Sequence, residues 1–229
     1  MDKNALYAEG EAWETMKEQT LEKASQITTL EEAHALVSEA VGVAGGKHSI
    51  LKPPMEEREG ATEEKVPEVS LREDGIIVVK LPAHSGITVS DSLYAFTVFD
   101  FLAAHREAKG VVIDLQDNVG GNMYPMLAAV SPLIPDGVFI RFKGRKSNAP
   151  VTIEYVEKQA GINEDKAFKL PTPLPIAILT NEWTGSSGEA TLLAFRGLEN
   201  VRTFGTPTAG YASANIPYLL SDGYTLVMT

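Results

Sequence analysis

The sequence predicts an α/β fold, and three observations support this prediction. From Gly75 onward, short apolar runs typical of buried strands alternate with longer segments whose apolar residues recur at helical spacing. Residues 1–44 show only the helical pattern. Hydrophobic residues make up 44% of the 229 and charged residues 22%, which suits a large buried core and excludes a disordered chain. We therefore expect an N-terminal helical subdomain followed by an α/β core.

The helical subdomain is predicted to span residues 1–50 and to contain two helices. Apolar or small residues of the first recur every three or four positions, and those of the second follow a capping box formed by Thr29 and Glu32. Residues 51–74 are charged and contain three prolines, so we predict a surface loop or insertion there. The two predicted apolar stripes are Trp13, Met16, Thr20, Ala24 and Ile27, and Leu30, Ala33, Val37 and Ala40.

The α/β core is predicted to span residues 75–229. It stops inside a predicted strand at Thr229, so we expect the gene product to continue. Three segments are predicted to be helical: 90–109, 122–133 and 188–198. The predicted strands are Ile76–Lys80, Val111–Leu115, Val138–Phe142, Val151–Tyr155, Ile176–Thr180, Val201–Phe204 and a hairpin of Ile216–Leu220 with Tyr224–Met228.

Charge and composition exclude several classes of function. The formal net charge of −11 argues against a nucleic-acid partner, which would need a basic face, and favours a cationic peptide slightly. The chain has no cysteine, which excludes disulfides and thiolate chemistry. No apolar run approaches the roughly 20 residues that cross a bilayer, and no leader peptide is visible. No metal site and no cofactor are predicted.

Two short motifs follow predicted strands. In the first, 114–122, Gly120 and Gly121 precede a helix, so their backbone N–H groups could bind an oxyanion, although on this stretch alone a tight turn capped by Asn122 is the better explanation. In the second, 178–190, Ser186 lies where a strand meets a helix, as a nucleophile would. Ser186 with Glu189 also fits a simple capping box.

Taken together, the two motifs resemble the carboxyl-terminal processing (tail-specific) serine protease family. The strand end D-L-x-x-N-x-G-G, the segment T-G-S-S-G-E and Gly205-Thr206-Pro207-Thr208-Ala209-Gly210 occur in the family's order. The resemblance covers roughly residues 75–229 and implies a ClpP/crotonase-like α/β core. It also implies that Ser186 is the nucleophile of a serine-type peptidase. An oxyanion hole would be formed by the N–H of Ser187 and an N–H of Gly120 or Gly121.

The sequence departs from this family at the position of the base. A lysine follows the G-x-x-T-x-G segment in tail-specific members, whereas this chain has Tyr211 there and no lysine after Lys169. Because a neutral serine needs a base, we predict a histidine in that role. His34 and His105 lie within predicted helices and are expected to be structural.

His48 is the preferred base. The segment around Trp13 and Gly45-Gly46-Lys47-His48-Ser49 resembles the nisin resistance protein-like branch of the family, which uses a serine–histidine pair. We expect Ser49 or a residue beyond Thr229 to orient the imidazole. His84, which follows the first core strand, is the alternative base.

Three functions remain open at this stage. The preferred one is a serine peptidase that cleaves a peptide or protein, with a lantibiotic-type antimicrobial peptide suggested by the resemblance. The alternatives are an inactive peptide-binding protein, favoured by Tyr211, and a crotonase-like acyl-CoA enzyme, whose thioester oxyanion two N–H groups could also hold. The resemblance implies an extracellular or cell-surface location; without it the protein would be placed in the cytoplasm.

Overall fold

The computed structural model describes residues 1–54, 64–171 and 174–229, which form two compact units. The first unit contains residues 1–54, 144–146 and 213–229 of the described chain. The second unit contains the described residues of 64–143 and 147–212. The predicted loop over 51–74 is therefore described only in part.

The first unit combines two helices with a three-stranded antiparallel sheet. Helix α1 spans Glu11–Ala24 and α2 spans Leu30–Gly45. Thr29 and Glu32 form the predicted capping box at the start of α2. The strand order is β1 (Ile50–Lys52), β10 (Thr225–Met228) and β9 (Ile216–Leu219), and β9 and β10 form the predicted hairpin.

The second unit is built on a five-stranded sheet in the order β2-β3-β4-β7-β8. The last four strands are parallel, and β2 pairs antiparallel with β3. A separate hairpin joins β5 (Val138–Lys143) to β6 (Asn148–Thr152). The sheet strands are β2 (Glu68–Leu71), β3 (Ile76–Lys80), β4 (Gly110–Asp114), β7 (Ile176–Thr180) and β8 (Val201–Gly205).

Four helices belong to this unit: α3 (Asp91–Ala104), α4 (Met123–Ala129), α5 (Ile153–Gln159) and α6 (Ser187–Ala194). The largest apolar cluster joins residues of the parallel strands to residues of all four helices. Ile113 of β4 and Ile178 of β7, for example, are fully buried. Burial of this kind accounts for the continuous apolar runs from which the strands were predicted.

One predicted strand is partly wrong. The segment Val151–Tyr155 was expected to be extended, but β6 ends at Thr152 and α5 begins at Ile153. The side chain of Thr152 accepts a hydrogen bond from the N–H of Tyr155 at 3.2 Å, which caps the helix. A short apolar run does not distinguish a strand from a buried helix, and here the Thr152 cap favours the helix.

The stripe predicted for α2 is wrong at its first residue. Leu30 is 65% exposed, whereas Ala33 and Val37 are half-buried and Ala40 is buried together with Leu36 and Val41. Leu30 is the first residue of α2, and the buried residues of the helix begin only at Leu36. The side chain of Leu30 therefore lies beyond the packed part of the helix.

The observed units differ from the predicted domains 1–50, 51–74 and 75–229. Residues 213–229 belong with the N-terminal helices, because β10 pairs with β1. The segment predicted as loop contributes β2 to the edge of the parallel sheet and most of β1 to the other sheet. Strand pairs so distant in sequence leave no local pattern.

Candidate active site

Two loops meet at the carboxyl ends of β4 and β7, which are neighbouring parallel strands. The first loop contains the glycine turn and the second contains Ser186. The N–H of Gly185 donates to the carbonyl of Asn118 at 2.9 Å, which joins the loops directly. Ligands and substrates of open parallel sheets bind at this edge, so the site lies where such folds place their chemistry.

Ser186 has a backbone conformation that helix capping does not require. Its φ of 50° and ψ of −113° are far from the extended conformations of Thr29, Ser90 and Thr152, which cap other helices. A positive φ in a residue with a side chain costs about 1–2 kcal/mol and persists only where the surroundings enforce it. Strained backbone at a strand–helix junction is the feature of a nucleophile elbow, and Ser186 is half-buried at this corner.

Gly120 lies against this corner and has no room for a side chain. A Cβ placed on Gly120 would lie 2.6 Å from the Cβ of Ser186 and 3.0 Å from the N of Ser187. Its φ is also positive, at 108°. The glycine is therefore required for the close approach of the two loops.

The predicted oxyanion donors differ in whether their N–H groups already have a hydrogen-bond acceptor. The N–H of Gly120 donates to the side-chain oxygen of Asn118 at 3.0 Å, so it is already engaged and does not meet the prediction. Gly121 is exposed, and among the described residues no acceptor is found for its N–H or for the N–H of Ser187. The hydroxyl of Ser187 donates to the carbonyl of Gly121 at 2.5 Å, which places these two residues side by side.

The buried carboxylate of Glu189 holds the loop that contains Ser186. Glu189 is 3% exposed and accepts hydrogen bonds from four groups. One is the N–H of Ser186, at 3.0 Å, so half of the predicted capping box is present. The other three donors belong to the loop that ends in Tyr211, and they are Thr208 Oγ1, Gly210 N and Tyr211 N. The Glu189 carboxylate therefore joins the segment of Ser186 to the segment of residues 205–210.

Asn118 has a similar role in the glycine loop. It is fully buried, and its Nδ2 donates to the carbonyl of Leu81 at 2.9 Å while its Oδ1 accepts from Gly120. Its own carbonyl receives the N–H of Gly185. The end of β3, the glycine turn and the serine loop are thus connected through one residue. The sequence places Asn118 in the glycine motif and Glu189 in a capping box, but no local pattern indicates the hydrogen bonds that each makes to distant segments.

His84 is buried beneath the glycine turn. Its side chain has no exposed surface, and its Nε2 lies 2.7 Å from Asp91 Oδ1. Nδ1 is buried and has no hydrogen-bond partner among the described residues. The ring packs at 4.5 Å from that of Tyr94, whose own burial raises its phenol pKa well above the usual range. Neither nitrogen of His84 is available to a hydroxyl at the surface, which disfavours the predicted alternative base.

His48 belongs to the first unit and is half-buried. Its Nδ1 lies 2.8 Å from Ser213 Oγ, and its carbonyl accepts from Asn215 at 3.1 Å. Ser49, which the sequence suggested as the orienting residue, instead accepts the N–H of Thr229 at 2.9 Å. Ser213 could not be found from sequence, since 165 residues separate it from His48.

The other two histidines have the structural surroundings that were expected. His34 Nε2 pairs with Asp222 at 2.7 Å and its ring stacks on Tyr224 at 3.7 Å. The hydrogen bond from His34 lowers the pKa of the Asp222 carboxyl. His105 caps α3 and donates from Nδ1 to the carbonyl of Phe101 at 2.8 Å.

Comparison with known proteins identifies the family of this chain. The sequence model of peptidase family S41 matches residues 77–229. The chain belongs to this family. Its α/β fold is therefore the ClpP/crotonase-like core of the S41 peptidases, with an N-terminal helical subdomain. Membership of the tail-specific protease family, as expected from the two motifs, is confirmed.

Two relatives match the whole chain of this S41 member. The nisin-resistance protein of Lactococcus lactis subsp. lactis is 32% identical over 235 residues, and the alignment covers 100% of this chain and 73% of that protein. A solved lipoprotein from Streptococcus agalactiae is 29% identical with a TM-score of 0.86, covering 100% of this chain and 79% of that one.

More distant structures share the fold of the family. A peptidase from Parabacteroides merdae is 17% identical with a TM-score of 0.64 and covers 100% of this chain and 79% of its own. The photosystem II D1 C-terminal processing protease is 16% identical with a TM-score of 0.55, over 74% and 44% of the two chains. Within the described residues of this member, none of the helices combines the length and apolarity needed to cross a bilayer.

Proposed function

We propose that this S41 member is a serine peptidase in which Ser186 is the nucleophile and His48 the general base. The observation that supports it best is the strained backbone of Ser186, held beside two N–H groups that have no acceptor among the described residues. A capping serine needs neither property. The choice of His48 rests on the likeness to the nisin-resistance protein and on the burial of His84.

The reaction would proceed by acyl transfer. His48 takes the proton of the Ser186 hydroxyl, whose oxygen bonds to the peptide carbonyl carbon. The N–H groups of Gly121 and Ser187 stabilise the oxyanion, and each donor lowers the barrier by about 3 kcal/mol. The C–N bond then breaks, His48 gives its proton to the leaving amine, and water hydrolyses the acyl-enzyme with His48 again as base.

The tautomer of His48 fits this role. A base must offer an unprotonated nitrogen to the hydroxyl, so Nε2 must carry the lone pair and Nδ1 the proton. We assign that tautomer because Ser213 Oγ, at 2.8 Å, can accept the Nδ1 proton. Ser213 would then be a positioning residue rather than a catalytic one.

We infer that the substrate is a cationic peptide of the lantibiotic type. The relative that matches the full chain is named a nisin-resistance protein, and the net charge of −11 here favours a cationic partner. We place the protein at the cell surface or outside the cell, since the solved S. agalactiae relative is described as a lipoprotein.

A fluorophosphonate probe and peptide hydrolysis test this proposal together. Wild-type protein should be labelled on Ser186 and should cleave the peptide, whereas Ser186→Ala should do neither and should keep its circular dichroism and melting temperature. His48→Gln should cut kcat by at least about 10²-fold. Ser25→Ala, at an exposed helix end, is the control and should behave as wild type.

Two results would contradict it. A folded wild-type protein that binds the peptide but never reacts with the probe would support the inactive binding protein suggested by Tyr211. Hydrolysis that survives in Ser186→Ala would move the nucleophile elsewhere.

A further inference from the structure

The pair formed by the buried His84 and the half-exposed Asp91 lies next to the proposed oxyanion hole, and the reaction described above gives it no role. The pair touches the glycine turn on both sides. His84 contacts it through its backbone, and Asp91 accepts a hydrogen bond from Asn122 Nδ2 at 2.8 Å through its second oxygen. The Asp91 carboxylate therefore links His84, which pairs with the glycine turn, to Asn122, which follows the turn.

The backbone of His84 sets the direction of the Gly121 peptide groups. The N–H of His84 donates to the carbonyl of Gly120 at 3.1 Å, and the N–H of Asn122 donates to the carbonyl of His84 at 2.6 Å. This is a parallel β-bridge centred on Gly121. In such a bridge the N–H and C=O of the central residue point away from its partner.

The opposite side of Gly121 is the side of Ser187. The carbonyl of Gly121 accepts the Ser187 hydroxyl there, so the N–H of Gly121 faces the same side, toward the start of α6. Gly121 has no side chain that could hold this orientation, and a Cβ on it would collide with the His84 carbonyl. The direction of the proposed oxyanion donor therefore depends on where His84 sits.

The side chain of His84 is what fixes its backbone. The ring is fully buried against Tyr94, and only Nε2 has a partner among the described residues, the Asp91 carboxylate. A buried ring that makes a single charge-assisted hydrogen bond has one favourable placement. Asp91 is in the first turn of α3, a helix whose buried face includes Tyr94, Val98 and Leu102, which gives the pair a rigid support.

We propose that His84 and Asp91 are positioning residues that hold the N–H of Gly121 in the geometry of the oxyanion hole. This inference rests on the proposed function. It assigns the pair no proton transfer and no contact with substrate. It explains why an imidazole that cannot reach a surface hydroxyl is nonetheless buried beneath the reacting groups.

The test compares His84→Gln with His34→Gln. The two histidines are matched in their contacts, because each donates from Nε2 to an aspartate at 2.7 Å and each packs on a tyrosine ring, but the His84 side chain is fully buried whereas that of His34 is 18% exposed. Only His84 is bonded to the glycine turn. Any loss that follows simply from breaking a histidine–aspartate pair should therefore occur in both variants.

Two measurements are made on the whole protein. Hydrogen exchange of the Gly120 and Asn122 amides, which are bonded to Asn118 and to the His84 carbonyl, should accelerate in His84→Gln and not in His34→Gln when it is followed by NMR. Active-site titration with the fluorophosphonate gives the concentration of active enzyme, from which kcat is calculated. This kcat should fall about 10- to 100-fold in His84→Gln with KM nearly unchanged, since a misplaced donor affects the transition state alone. The acid limb of the pH profile of kcat/KM should remain. Asp91→Asn should show the same pattern more weakly.

Three outcomes would overturn the inference. Unchanged exchange at Gly120 and Asn122 would show that the pair does not hold the turn. An unchanged kcat per titrated site would show a structural role only. Loss of the acid limb together with activity would make His84 the base. If instead the wild-type protein shows no labelling of Ser186, the proposed function fails, and the exchange measurement still decides whether the pair positions the turn.

Discussion

The hydrogen bond between His48 and Ser213 gives a first prediction at the scale of single residues. Ser213→Ala removes the acceptor for the Nδ1 proton, so the imidazole loses its orientation and the favoured tautomer. We expect kcat to fall about 5-fold, as one hydrogen bond of about 1 kcal/mol would give, with KM unchanged. Steady-state hydrolysis of a peptide substrate measures both constants.

Ser49→Ala is the matched control for this change. Ser49 is next to His48 in sequence, but its hydroxyl accepts from Thr229 and not from the imidazole. The control should retain the wild-type kcat. If Ser49→Ala proves more damaging to kcat than Ser213→Ala, the assignment of Ser213 is wrong.

The contact between Gly120 and Ser186 gives a second prediction. Gly120→Ala introduces a Cβ 2.6 Å from that of Ser186, in addition to an unfavourable positive φ. We expect a loss of several kcal/mol in the free energy of unfolding, or loss of labelling by the probe if the loops separate instead. Denaturant unfolding and active-site titration distinguish the two.

Gly137 provides the control, because its φ of 101° is close to the 108° of Gly120 but nothing lies within 4 Å of its Cβ position. Gly137→Ala should therefore show only the backbone cost of about 1 kcal/mol. Equal losses in both variants would mean that the contact with Ser186 has no energetic consequence.

At the scale of elements, the loop between β3 and α3 depends on one carboxylate. Glu64 accepts from the backbone N–H groups of Ser85, Ile87, Thr88 and Val89, at 2.6–3.0 Å, and from the Ser85 hydroxyl. Desolvation raises the pKa of Glu64, but these hydrogen bonds outweigh it and hold the pKa far below its usual range.

A pH dependence follows with a definite sign. Because the folded-state pKa of Glu64 is lowered, its contribution is complete above the unfolded pKa of about 4.3 and declines as the pH falls below it. The difference in unfolding free energy between wild type and Glu64→Gln should be constant near neutral pH and shrink toward pH 3. A difference that grows on acidification would contradict this.

Elements also show what the sequence could reveal. The parallel strands of the second unit were predictable because burial on both faces leaves continuous apolar runs, as in Val111–Ile113. Strand β1 was not, since it has three residues and exists through pairing with β10, some 170 residues later. Helix α5 was taken for a strand because its apolar run is too short to show a period.

The site divides in the same way. Ser186 and the glycines could be predicted because reactive groups and tight turns restrict the residue type. Asn118 and Glu189 hold these loops, and Ser213 bonds to His48. All three act through hydrogen bonds across distant segments, and no local pattern indicates such bonds.

At the scale of the whole molecule, the net charge of −11 gives a prediction about substrate association. If the substrate is cationic, long-range attraction raises its encounter rate, and salt screens that attraction. From 50 to 500 mM salt we expect kcat/KM for a lysine-rich peptide to fall by about 10-fold. A peptide with the same cleavage sequence but no net charge is the control and should change little. Equal salt dependence of both would remove the electrostatic argument for a cationic substrate.

The twisted backbone at residue 186 has a cost for the protein as a whole. A glycine there would relieve the torsion and make the fold more durable, yet it would delete the hydroxyl proposed as the nucleophile. Heat tolerance and turnover are therefore opposed at this one position. A lineage that kept the fold but no longer needed to cut peptides would be free to relax it.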